Sequence, residues 1–186
     1  MSIQKNVNDI LNELRENASK IDESQVEQFM TQIRKAKHIF LQGAGRSGIA
    51  ARAFANRLLH LGFSVSIVGE ISSPHSKAGD IVVIVSGSGE TASLKSLAKK
   101  AVDSRVEVAL ITTNPDSTIG KLAKSVIVLP GVAKDENARE ANTFSQPMGS
   151  SFEQLAFILF DALILELMNA SGETSATMFP RHADFE

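Results

Sequence analysis

The sequence predicts an α/β domain built on a parallel sheet, and three observations carry that reading. From His38 onward, short β-branched runs alternate with helical stretches, the pattern of βαβ units. One run, Ile81 to Val85, is apolar at five consecutive positions, as befits a central strand covered on both faces. Gly/Ser clusters at 43–48 and 86–89 follow the first and third runs directly, where the ligand-binding turns of open parallel sheets lie.

The elements follow in order. Ile3, Val7, Ile10, Leu11 and Leu14 recur at helical spacing, as do Val26, Phe29, Met30 and Ile33, so two helices lead the chain, joined through Ile21-Asp22-Glu23-Ser24. Strands are expected at Ile39 to Leu41, Val65 to Val68, Ile81 to Val85, Val106 to Ile111 and Val126 to Leu129. Residues 130–148, with Pro130, Gly131 and Pro147, read as one long irregular connection, a feature that is often functional. A helix follows in which Leu155, Phe157, Ile158, Leu159, Phe160, Leu163, Ile164, Leu165, Leu167 and Met168 are apolar nearly all round. So little polar face calls for cover on several sides, by the sheet and by a partner subunit. The whole reads as a single domain over 1–186, with a helical lead-in at 1–36, an α/β core at 37–170 and a tail at 171–186.

Composition narrows the function. The 19 Lys and Arg against 21 Asp and Glu are interspersed, giving a formal net charge of −2, which argues against a nucleic-acid or anionic-membrane surface. Cysteine is absent, which removes disulfides, thiolate metal sites and cysteine nucleophiles. The opening residues carry Lys5, Asp9 and Glu13 and no apolar signal-peptide core. The apolar tract Leu155 to Met168 is interrupted by Asp161 and Glu166 and falls short of the roughly 20 residues a membrane span needs. A cytoplasmic protein is expected. His38, His60 and His75 lack metal-ligand spacing, so neither a metal nor another cofactor is expected.

The turn Gly43-Ala44-Gly45-Arg46-Ser47-Gly48 matches the G-x-G-x-x-G dinucleotide fingerprint, with Glu70 near the position of a ribose-binding acid. A second loop, Ser86-Gly87-Ser88-Gly89-Glu90-Thr91, shifts the weight from NAD to one compact anion, because a dinucleotide site does not require it. A phosphate, with about −1.5 to −2 charges and three acceptor oxygens, wants many short donors. Backbone N–H groups at Gly45, Gly87 and Gly89, the hydroxyls of Ser47, Ser86, Ser88 and Thr91, and two helix N-termini supply them, with Arg46 and Glu90 in the same turns. The competing reading makes Ser47, Ser88 and Thr91 ordinary helix caps. A Walker-type loop is excluded, since Gly-Lys-Ser/Thr is missing.

With Gly-Ala-Gly-Arg-Ser-Gly at 43–48, Ser-Gly-Ser-Gly-Glu-Thr at 86–91, Gln-Pro-Met-Gly-Ser-Ser-Phe-Glu at 146–153 and Arg-His-Ala-Asp-Phe-Glu at 181–186, the chain resembles the sugar isomerase (SIS) domains over nearly its whole length. The last two segments narrow the resemblance to the branch acting on hexulose phosphates. It implies a five-stranded parallel sheet flanked by helices and a homotetramer. It also implies interconversion of 3-hexulose 6-phosphate with fructose 6-phosphate in the ribulose monophosphate route of formaldehyde handling, with possible coupling to 3-hexulose-6-phosphate synthase. Ser47 and the 86–91 loop then look like the binders of a sugar phosphate, Glu153 like the base, and His182 like a histidine that reaches a neighbouring subunit's site. Ile71 to Ala78 and Asp184-Phe185 depart from the family's pattern.

On the residues alone, two of these roles have rivals. Ser150-Ser151-Phe152-Glu153 also spells a capping box, in which the glutamate reaches back to the helix start. His182, three residues after Phe179, also suits packing at an interface. Other functions stay open as well: a different sugar-phosphate aldose–ketose isomerase, a non-catalytic sugar-phosphate sensor, or an NAD-binding protein.

Overall fold

The computed structural model describes residues 2–131 and 146–184. The expected connection at 130–148 therefore lies mostly outside the described residues, as do Phe185 and Glu186 of the tail.

Two helices lead, α1 (Ile3–Ala18) and α2 (Glu23–Lys35), followed by β1 (Ile39–Gly43), α3 (Gly45–His60), β2 (Val65–Ile67), β3 (Ile81–Val85), α4 (Ala92–Asp103), β4 (Glu107–Thr112), β5 (Ser125–Val128), α5 (Ser150–Ser171) and a short α6 (Ser175–Met178). All five expected strands form, each within two residues of its expected limits. They pair in parallel in the order β2-β1-β3-β4-β5. This order places the topological switch between β1 and β3, whose last residues, Gly43 and Val85, lie side by side.

Period-2 alternation divides β3 between two cores, which explains its unbroken apolar run. Ile81, Val83 and Val85 face a large core with α1, α2, α3 and α5, including Phe29, Phe54 and Phe160, while Val82 and Ile84 face a smaller one with Leu94, Ala98 and Ala101 of α4. The β2–β3 connection contains no helix, so the α4 side of the sheet is the more thinly covered.

The leading helices are tied down by side chains. Asn17 Nδ2 donates to Ser151 Oγ at 3.0 Å, joining α1 to α5, and Val128 N donates to Gln25 Oε1 at 2.8 Å, joining α2 to β5. Gln32 donates to Glu107 Oε2 at 2.8 Å and accepts from Ser125 Oγ. The apolar surface of α5 proves two-sided: Leu155, Leu159, Phe160, Leu163 and Leu167 are buried, whereas Phe157, Ile158 and Leu165 are exposed. Ile3, Val7 and Leu11 of α1 are exposed too, along one stripe. No single helix among the described residues is long and apolar enough to cross a membrane.

Candidate functional site

Because β1 and β3 end in register, the loops that leave them open into one crevice at the switch point. Close backbone approach builds the first. A Cβ on Gly48 would lie 2.6 Å from the Gly43 carbonyl oxygen, and one on Gly43 2.8 Å from Gly48 N, so only glycine at both positions lets α3 start directly against the end of its strand. In the second loop Gly89 has φ +64°, and a Cβ there would lie 2.0 Å from Ser117 Oγ.

The capping reading of the hydroxyls does not hold. Helix α3 is preceded by Ala44, with no side-chain cap, and Ser47 lies inside its first turn. Thr91 does stand at the start of α4, but its side chain makes no cap bond either. Ser88 Oγ accepts from Glu90 N at 3.2 Å within the loop itself. Among the described residues the first-turn N–H groups of α3 and α4 thus have neither intrahelical nor side-chain acceptors, and both helix dipoles end at the crevice.

A third segment, absent from the sequence reading, braces the second loop. The Gly87 carbonyl accepts from Thr113 N at 3.0 Å and from the hydroxyls of Thr112 and Thr113, each at 2.8 Å. Glu90 turns outward, accepting from Thr118 N at 2.6 Å and Thr118 Oγ1 at 2.9 Å and pairing with Lys95 at 3.0 Å. The Thr118 amide first, then Lys95 and the Thr118 hydroxyl, hold its carboxyl down to a pKa of about 2. In this structure Glu90 is the pin that shapes the loop. The hydroxyl-rich run from Thr112 to Thr118, placed directly after a strand, was the signal that could have revealed this brace.

Glu153 enters from α5. The alternative capping box does not form, because the helix starts after Gly149, which is left-handed at φ 73°, and Ser150 donates instead to the Pro147 carbonyl. Glu153 lies in the first turn, 4% exposed, and its Oε2 accepts from Arg46 Nε at 2.5 Å. Arg46 itself is 58% exposed. Beside it, the Phe152 ring packs on Gly87, 3.4 Å from where a Cβ would stand. One helical turn therefore touches the first loop through Glu153 and the second through Phe152, bringing together Arg46, Ser47, the 86–91 loop and Glu153.

His182 is not part of this constellation within one chain. Its ring stacks on that of His60, with centroids 5.0 Å apart, and Arg181 donates to the His60 carbonyl. His60 ends α3 and Arg46 lies in its first turn, a separation of about 21 Å along the helix at 1.5 Å per residue. Glu70, on which the dinucleotide reading leans, pairs with Arg52 at 2.6 Å. Among the described residues no group of three His, Asp or Glu side chains is placed to hold a metal ion.

The chain is similar to known proteins over nearly its whole length. The family model described as SIS domain matches residues 32–158. The 3-hexulose-6-phosphate isomerase of Bacillus subtilis is 47% identical over 180 residues, covering 97% of both chains. The protein of that name from Mycobacterium gastri is 33% identical, covering 99% of this chain and 92% of its own. A solved Methanococcus jannaschii structure, reported with an inferred function of 3-hexulose-6-phosphate isomerase, superposes with a TM-score of 0.79 at 33% identity, over 97% of this chain and 96% of the other.

Proposed function

The chain belongs to the SIS domain family, and on that premise we propose that it is a 6-phospho-3-hexuloisomerase, interconverting 3-hexulose 6-phosphate and fructose 6-phosphate. The observation that carries the proposal is a buried carboxylate, Glu153, beside two uncapped helix N-termini in one crevice. The phosphate takes the N–H groups and the Ser47, Ser88 and Thr91 hydroxyls at those helix starts, which anchors one end of the ketose. Anchoring presents the carbonyl region to Glu153.

Each step then conserves protons. Glu153 takes the proton from C2, the C2–H pair becomes the C2=C3 bond, and the C3 carbonyl oxygen takes a proton from water as the enediol forms. Return of the Glu153 proton to C3, with the O2 proton given back to water, leaves the carbonyl at C2. A 3-ketose phosphorylated on O6 cannot close a five- or six-membered ring at C3, so it arrives open. Arg46, which holds the Glu153 carboxylate, keeps the base oriented between turnovers.

The exposed apolar residues of α1 and α5 support assembly, which we take to be a homotetramer. A chemical role for His182 requires the crevice of a neighbouring subunit in that assembly. A phosphorylated hexulose is a cytoplasmic metabolite, so the enzyme works there, downstream of a 3-hexulose-6-phosphate synthase in the ribulose monophosphate route. The test is direct: purified protein supplied with 3-hexulose 6-phosphate should produce fructose 6-phosphate. No product, with sugar phosphates still raising the melting temperature, would overturn the isomerase reading in favour of a sensor.

A further inference from the structure

Glu153 cannot act as a base in the conformation seen. It is 4% exposed, and its Oε2 accepts from Arg46 Nε at 2.5 Å. A carboxylate that takes a proton from carbon must come within about 3–3.5 Å of that carbon. Oε2 is covered and engaged, so contact with the C2 proton requires a side chain to leave it.

Arg46 is the side chain able to leave. It is 58% exposed, and among the described residues Nε is its only donating nitrogen, so Nη1 and Nη2 have no acceptors there. One nitrogen on one oxygen leaves unused the planar fork that suits two-point contact with a phosphate. Arg46 is also the second residue of α3, and its backbone N–H is one of the uncapped donors of that helix. Helix side chains point back towards the N-terminus, so the guanidinium swings over the same helix start. The cavity of about 380 Å³ that the pair borders is otherwise walled mainly by Ile10, Leu14, Ile49, Phe157 and Ile158 and offers the guanidinium no second acid.

On the isomerase reading of Glu153, we propose that Arg46 is a latch on the base and that the substrate's own phosphate opens it. Phosphate at the starts of α3 and α4 takes Nη1 and Nη2 as a bidentate pair, Nε leaves Oε2, and that oxygen takes the C2 proton. A bonded cation favours the charged form of a carboxylate, so its departure makes Oε2 the stronger proton acceptor. Arg46 remains a guanidinium throughout and moves no proton itself. It is a positioning residue, making the base available only when a phosphorylated sugar lies in the crevice.

The substrate can be divided to test this. 6-Deoxy-3-hexulose carries the reacting carbons but no phosphate, and without O6 it cannot close a five-membered ring at C3. Phosphite dianion supplies the missing charge. At constant ionic strength, phosphite should speed conversion of this ketose by the wild-type protein saturably, by about 10–100-fold, the worth of a charge-assisted hydrogen bond. Folded Arg46→Met should convert the ketose about tenfold faster than wild type when phosphite is left out, and phosphite should then add less than about threefold. An arginine that only orients the base would give a slower variant with the wild-type phosphite ratio, and one that only binds phosphate would give unchanged conversion without phosphite; either result overturns the latch. If Arg46→Met does not fold, the wild-type Arg46 Nε–H signal in nitrogen–proton correlation spectra decides: phosphite should move it upfield as the Glu153 bond breaks, and an unmoved signal overturns the proposal. Wild-type protein that converts 3-hexulose 6-phosphate, yet gains nothing from phosphite on the deoxy ketose, also overturns the latch and leaves the isomerase reading standing, whereas failure on the intact substrate removes both.

Discussion

The leading helices and the crevice helices begin differently. Helices α1 and α2 are closed by their own side chains, Ser2 accepting from Lys5 N at 3.2 Å and Asp22 from Ser24 N at 2.8 Å, whereas α3 and α4 start with no side-chain cap although hydroxyls stand within reach in sequence. Capping satisfies donors that water or a ligand would otherwise take, and a typical cap stabilises by about 1 kcal/mol. The core helices α3, α4 and α5 all start without a side-chain cap, and the two of them that flank the sheet's switch point, α3 and α4, leave their donors available to an anion. Stability and binding are thereby assigned to different helix ends.

The largest expected effect falls on the crevice. Glu153→Gln should lower turnover by about 10²–10⁴-fold, the range for a general base, while the folded variant is still protected from melting by sugar phosphate. Gly48→Ala should come next, because its Cβ would lie 2.6 Å from a backbone oxygen that cannot move without displacing β1. A loss of about 2–4 kcal/mol is expected in denaturant titration.

The comparison itself is sharpest in a crossed pair. Asp22→Ala should cost about 1 kcal/mol of stability and leave KM unchanged. Thr91→Ala, with no cap to lose, should leave the melting temperature unchanged and raise KM by about tenfold. The opposite pattern would show that α4 is capped in solution and that its hydroxyl serves the fold.

The smallest effect concerns Glu90. Its folded pKa is lowered to about 2, so its contribution to stability is fully present above the ordinary carboxylate range and disappears as pH falls from about 4.5 towards 2. Glu90→Gln should flatten that part of the acid-stability curve, read by thermal melting across the same pH interval.

The sheet was legible because strand runs and glycine turns are local signals: Ile81 to Val85 could only be a doubly covered strand, and Gly43 and Gly48 require each other's small size. The lead-in helices were legible from periodicity, although the exposure of Ile3, Val7 and Leu11 was not, since a stripe of that spacing reads the same whether covered by its own chain or by another. In the crevice, residue types were legible and partners were not. Ser150 and Glu153 carry the spacing of a capping box, but the left-handed Gly149 takes the N-cap place and puts Ser150 inside the helix, so Glu153 meets Arg46, 107 positions away. Glu90 stands among donors in the sequence, whereas in the fold Thr118 and Lys95 claim its carboxylate. The place of His182, stacked on His60 at the far end of α3, depends on the fold of the tail and had no signal in spacing.

Solvent exchange into fructose 6-phosphate reads the position of proton transfer directly. In heavy water the wild-type protein should place deuterium at C3 of fructose 6-phosphate, the carbon deprotonated on the way to the 2,3-enediol, and the folded Glu153→Gln variant should place none. Deuterium at C1 would instead mark a 1,2-enediol and an aldose–ketose isomerase, and no exchange by the wild type would contradict Glu153 as a base acting on this ketose.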